Sequence, residues 1–147
     1  MSVLQVGDTM SFRKTLTVAE QAMYTGISGN MAPLYVDKRA AEASGFGNML
    51  AFELHAVALA TTALNRVAGT AWRLGGLAID FVLPVMVGET VESKIEVTSA
   101  AASAVACSVR CTLAGGVVVA QGTATLVQMP ATMMPGASRL PKRVVCA

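Results

Sequence analysis

A chain of 147 residues with 54% apolar and 14% charged composition can bury one sizeable core but not two, so a single domain is expected over residues 1–128, with a tail over 129–147. The net charge of +2 is spread thinly, and no basic run exceeds the Lys38-Arg39 and Lys142-Arg143 pairs, which argues against a nucleic-acid footprint or a polybasic membrane anchor. The three cysteines and the single His55 form no metal-ligand spacing, so no metal or cofactor is expected and the thiols read as reduced, in a cytoplasmic protein.

The first residues lack the basic and apolar regions of a signal peptide, so secretion is not expected. Ser11 to Leu16 suits a short strand. Thr17-Val18-Ala19-Glu20 has the spacing of a capping box and predicts a helix that ends at Gly29. Pro33 lacks an amide hydrogen and restricts the residue before it, which predicts an irregular loop over Asn30 to Tyr35. Asp37 is placed to cap a short helix over Lys38 to Ser44, closed by Gly45.

Asn48 to Val67 has helical length and apolar residues on nearly every side, so one long buried helix is predicted there. Its apolar core, Met49 to Leu64, is interrupted by Glu53 and His55 and is too short to read as a membrane span. Leu74 to Leu83, Glu89 to Ser99, Ser103 to Leu113 and Val117 to Gln128 are strand-length and rich in Val, Ile and Thr. Val105, Cys107, Val109, Cys111 and Leu113 alternate with smaller or polar residues, the period of a sheet with one covered face. Gly115-Gly116 predicts a hairpin turn. From Met129 the chain has three prolines with Arg139, Lys142 and Arg143, and is expected to pack on the surface or to be partly disordered. One long helix against several antiparallel strands is an α+β arrangement.

Four segments carry a family resemblance: Val6-Gly7-Asp8, the loop Ser28-Gly29-Asn30-Met31-Ala32-Pro33-Leu34-Tyr35-Val36-Asp37, Gly45-Phe46-Gly47, and Pro84-Val85-Met86-Val87-Gly88-Glu89-Thr90-Val91. In this order they resemble the MaoC-like hot-dog hydratases, which include the (R)-specific enoyl-CoA hydratases, over roughly residues 5 to 128. That family's loop reads Ser-Gly-Asp-x-Asn-Pro-Leu-His-x-Asp, so Asn30 stands at the catalytic Asp and Tyr35 at the catalytic His, and Ala32 replaces a second Asn. Where the family commonly has His-Gly at the start of its central helix, this chain has Phe52-Glu53. The resemblance implies a curved antiparallel sheet around a central helix, and an acyl-CoA or acyl-carrier-protein thioester as substrate. It also implies a homodimer, or a heterodimer with an intact paralogue.

Hydration of an enoyl thioester needs a base for water, a proton donor for the α-carbon and polarisation of the carbonyl. Asn30 cannot take up a proton near neutrality, and Tyr35 is a donor rather than a ready base. Amides at the N-terminal end of the central helix can still polarise a carbonyl. Glu53 opens a second reading, because several hot-dog thioesterases and carrier-protein dehydratases use an acid at about this place. The same carboxylate could instead pair with Arg66 or Arg73, and the whole chain could bind ligand or support a heterodimer without catalysis. His55 falls about 200° around the helix from Glu53 and reads as a packed histidine. Met31, Pro33, Phe52 and Leu54, with Met49, are candidate substrate-binding residues, though such residues also make ordinary core.

Overall fold

Strand periodicity and one helix set the architecture. The computed structural model describes residues 4–130, so the expected tail from 131 onward lies outside the described residues. In chain order the elements are β1 (Thr9–Thr15), α1 (Val18–Ser28), α2 (Pro33–Val36), α3 (Lys38–Ala43), α4 (Leu54–Ala68), β2 (Trp72–Phe81), β3 (Thr90–Ala100), β4 (Ala104–Thr112) and β5 (Val118–Gln128). The strands form one antiparallel sheet in the order β1-β3-β4-β5-β2, which leaves β1 and β2 at its edges.

The alternation in β4 is realised: Val105, Cys107, Val109 and Cys111 are buried and face the helix side, with Val91, Ile95 and Val97 of β3 beside them. Across this face lies α4, which contributes Leu59, Ala60, Ala63 and Leu64. Its alanines let the helix approach closely, and the Cys111 thiol donates a weak bond of 3.8 Å to the carbonyl of Ala56. Fully burying a side chain such as Leu64 stabilises the fold by roughly 1.5–3 kcal/mol. Burial alone pushes the thiol of Cys107 up; at Cys111 the same upward push is partly opposed by Ser93, its cross-strand neighbour.

Close approach of β2 to β5 depends on Gly122. A Cβ there would sit 1.9 Å from the carbonyl oxygen of Ala78, so only glycine fits.

Two expectations are corrected. The central helix begins at Leu54 rather than Asn48, because Asn48 lies in a bend and residues 49–51 run beside residues 85–87: Leu50 bridges to Met86, and the amides of Ala51 and Val87 bond to the carbonyls of Val85 and Met49. Nor is α4 covered all round, since Leu54, Ala58, Asn65 and Arg66 are exposed on one side. The hairpin turn expected at Gly115-Gly116 is present: it joins β4 to its antiparallel neighbour β5 through Ala114–Gly116, and both glycines take the positive φ values that glycine permits.

Candidate functional site

The site grows out of the chain between α1 and α4. Thr17 and Glu20 form the reciprocal capping box that the sequence signals, and Lys14 pairs with Glu20 at 2.6 Å. That ion pair, with help from the Thr17 hydroxyl and backbone amides, lowers the Glu20 pKa to about 2. Helix α1 stops at Gly29, whose φ of 70° is left-handed. The side-chain oxygen of Asn30 accepts from the amide of Ala32 at 3.0 Å, an Asx turn that engages this oxygen within its own loop.

The loop expected over Asn30 to Tyr35 is irregular only as far as Ala32. Pro33 occupies the first position of α2, where its missing amide hydrogen costs nothing, and that single turn presents Tyr35 inward. Asp37 then caps α3 through its bonds to the amides of Arg39 and Ala40.

Sequence reasoning missed Gln21. This residue is 3% exposed, and its amide nitrogen donates to the carbonyls of Tyr35 and Leu50, each at 2.7 Å, while its oxygen accepts from the amide of Phe52 at 3.4 Å. One side chain thus ties α1, α2 and the approach to α4 together. The available signal was its place on the same helical stripe as Val18, Tyr24 and Thr25.

Aromatic rings fill the space so framed. Phe52 is 3% exposed, and Tyr35 stacks on it at 4.8 Å with 3° between the planes, while Tyr24 approaches it at 4.4 Å. The stack carries the Tyr35 hydroxyl to Glu53, where it donates to Oε1 at 2.6 Å. This bond is the largest cause that pushes the Tyr35 phenol up to about 12, with burial and the Glu53 charge adding to it. The phenol is therefore held as a proton donor.

The alternative partners for Glu53 do not meet it: Arg66 lies over the Phe12 ring at 4.4 Å, and Arg73 bonds to the carbonyl of Leu74. Glu53 itself occupies the N-cap position of α4 rather than its first turn. His55 is buried on another side, edge-on to Tyr24 and Phe52, with neither ring nitrogen bonded among the described residues; burial lowers its pKa, partly opposed by Glu20.

The candidate substrate-binding residues separate in space. Met31 and Met49 line an open cleft of 260 Å³ beside Tyr35, between α1 and the α2 segment. Phe52 and Glu53 border a cavity of only 20 Å³ with Phe81, Leu83 and Pro84. Pro33 is an exposed residue of α2, and Leu54 is 49% exposed at the start of α4. Among the described residues no group of His, Cys, Asp and Glu could hold a metal ion, and no helix is long and apolar enough to cross a membrane.

The model of the MaoC like domain matches residues 3–126. This chain belongs to the MaoC-like family. Among solved structures it is similar to the (R)-hydratase from A. caviae involved in PHA biosynthesis, with 25% identity, a TM-score of 0.80, and coverage of 86% of this chain and 98% of that one. The unliganded R-hydratase from Pseudomonas aeruginosa matches with 21% identity and a TM-score of 0.80 over 92% of each chain. The C-terminally truncated HadBC (3R-hydroxyacyl-ACP dehydratase) complex from Mycobacterium tuberculosis matches at 16% identity and a TM-score of 0.71, over 86% of this chain and all of that one. Comparison with curated protein sequences yields no match. The fold is accordingly the hot-dog fold, a curved sheet wrapped around one helix, and the MaoC-like family fixes hydratase-like enzymes as its relatives.

Proposed function

We propose that this MaoC-like protein binds acyl thioesters and adds water to an enoyl-CoA, or removes it from the hydroxyacyl form, with Tyr35 and Glu53 as its acid–base pair. The observation that carries this reading is the 2.6 Å bond between the two. Asn30 and Tyr35 cannot reproduce the family's Asp and His, but a carboxylate and a phenol in contact supply the same two functions.

In hydration, Glu53 takes a proton from water as the water oxygen bonds to C3 of the enoyl group. Tyr35 gives its phenolic proton to C2. The proton now on Glu53 passes along the bond to the Tyr35 oxygen, so both groups return to their starting state and one water has been added. The N-terminal end of α4, whose first helical residue is Leu54, offers positive partial charge toward the thioester oxygen as negative charge develops on it.

The pair also supports hydrolysis, since Glu53 is the carboxylate bonded to the Tyr35 hydroxyl and could direct water at the thioester carbonyl instead. Incubation with crotonyl-CoA, with the products resolved by mass, separates the readings. Added water supports hydration, free CoA supports the thioesterase, and unchanged substrate supports a binding role. The relative solved as a HadBC complex supports assembly of this chain with a second subunit, itself or a paralogue.

A further inference from the structure

Gln21 is the one buried residue of α1, and burial alone does not account for a glutamine there. A leucine or methionine would fill the same space with no amide to satisfy, whereas a buried amide left unpaired is costly. Both hydrogens of this amide and its oxygen are engaged. Nε2 donates to the carbonyls of Tyr35 and Leu50, each at 2.7 Å, and Oε1 accepts from the amide of Phe52 at 3.4 Å, the longest and weakest of the three bonds. Two acceptors and one donor face the amide, so only one of its orientations satisfies them all. None of these three backbone groups has another partner among the described residues.

The bonds fall on both segments that carry the Tyr35–Glu53 pair. One holds residue 35 itself, whose hydroxyl donates to Glu53 at 2.6 Å, and the other two hold residues 50 and 52, on the approach to Glu53. The parallel stack of Tyr35 on Phe52 fixes the spacing of the rings. Stacked rings slide over one another easily, however, so the stack by itself does not keep a phenol oxygen on one carboxylate oxygen. A clamp on the backbone of both segments removes that freedom.

We propose that Gln21 is the positioning residue of the Tyr35–Glu53 pair: its amide sets the backbone of Tyr35 against that of Leu50 and Phe52, and so determines where the phenol meets the carboxylate. Its bonds go to backbone and not to the phenol or the carboxylate, so it acts only through that placement. This role rests on the acid–base reading above.

Gln21→Met and Gln21→Leu fill the space without the bonds. In the folded variants, spectroscopic titration should find the Tyr35 phenol lowered from about 12 toward 10, assigned by the difference that Tyr35→Phe makes. Misplacing a reacting group by about 1 Å costs on the order of 10²-fold, so kcat for crotonyl-CoA hydration should fall by roughly 10- to 100-fold. Against a Tyr35→Phe background the same substitutions should cost no more than about twofold, because no phenol is left to position. A phenol that stays near 12 in the folded variants would overturn the assignment. So would a loss of kcat just as large in the Tyr35→Phe background, which would make Gln21 a packing residue.

Exchange of the Gln21 side-chain amide with water, followed by NMR on the unaltered protein, tests the clamp without any variant. It should be slower by roughly tenfold or more than at the exposed Gln5, Gln121 and Gln128, and exchange at their rate would overturn the clamp. If the unaltered protein hydrates no enoyl-CoA, the acid–base reading falls, and the titration alone decides whether Gln21 places the phenol on Glu53.

Discussion

At the residue scale, Tyr35 and Glu53 stand eighteen positions apart in sequence and are bonded in the fold. Spectroscopic titration of the phenols checks the bond directly, because the chain has only two tyrosines and Tyr35→Phe assigns the signal. The Tyr35 phenol should titrate near 12, and Glu53→Gln should bring it down toward 10. The folded state holds this proton more tightly than the unfolded chain does. The resulting stabilisation is therefore full below pH 10 and is lost as the pH rises from there through about 12. The resemblance leads to the expectation that Asn30 and Tyr35 stand at the family's catalytic positions, but it does not reveal which group Tyr35 meets. Glu53 is legible as an unusual carboxylate, yet its partner depends on where the α2 turn points Tyr35, and periodicity does not report that. The double variant Asn30→Asp, Tyr35→His puts the family's pair into the loop but removes the phenol from Glu53. It should raise hydration only if the carboxylate introduced at position 30 leaves the Asx turn, which the rate measurement checks.

At the element scale, local signals are legible in the sequence and short tertiary ones are not. Thr17 and Glu20 announce α1 because a capping box is written within four residues. Thr17→Ala should cost about 1 kcal/mol in denaturant unfolding. The depressed Glu20 pKa makes a further contribution that is present above about pH 4.5 and lost as the pH falls toward 2; Lys14→Met should remove much of that acid dependence. The start of α4 is hidden because Met49 and Leu50 continue its apolar composition. A single bridge from Leu50 to Met86 is too short to leave a strand pattern. Gly122 gives no warning either, since a glycine in a β-like run announces a close approach without naming the neighbour. Gly122→Ala should lower the unfolding midpoint sharply, by loss of the β2–β5 pairing, whereas Gly76→Ala, with open space around its Cβ, should be milder.

At the scale of the whole molecule the class is legible from one greasy helix followed by four strands, and the packing of α4 on β1, β2, β3 and β4 follows from it. What no sequence period reveals is the apolar surface left beside Glu53, where Phe81, Val82 and Leu83 are 45%, 49% and 49% exposed at the end of edge strand β2. A second subunit is expected to cover it, and Val82→Asp should shift the sedimentation of the protein toward the monomer. The pair itself is tested by a double-mutant cycle on the rate of crotonyl-CoA hydration with Tyr35→Phe, Glu53→Gln and the two combined. If the pair works as one acid–base unit, each single change should cost roughly 10²- to 10⁴-fold and the combination no more than the worse of them. A Glu53→Gln variant that hydrates crotonyl-CoA at the unaltered rate, or losses that multiply in the combined variant, would contradict it.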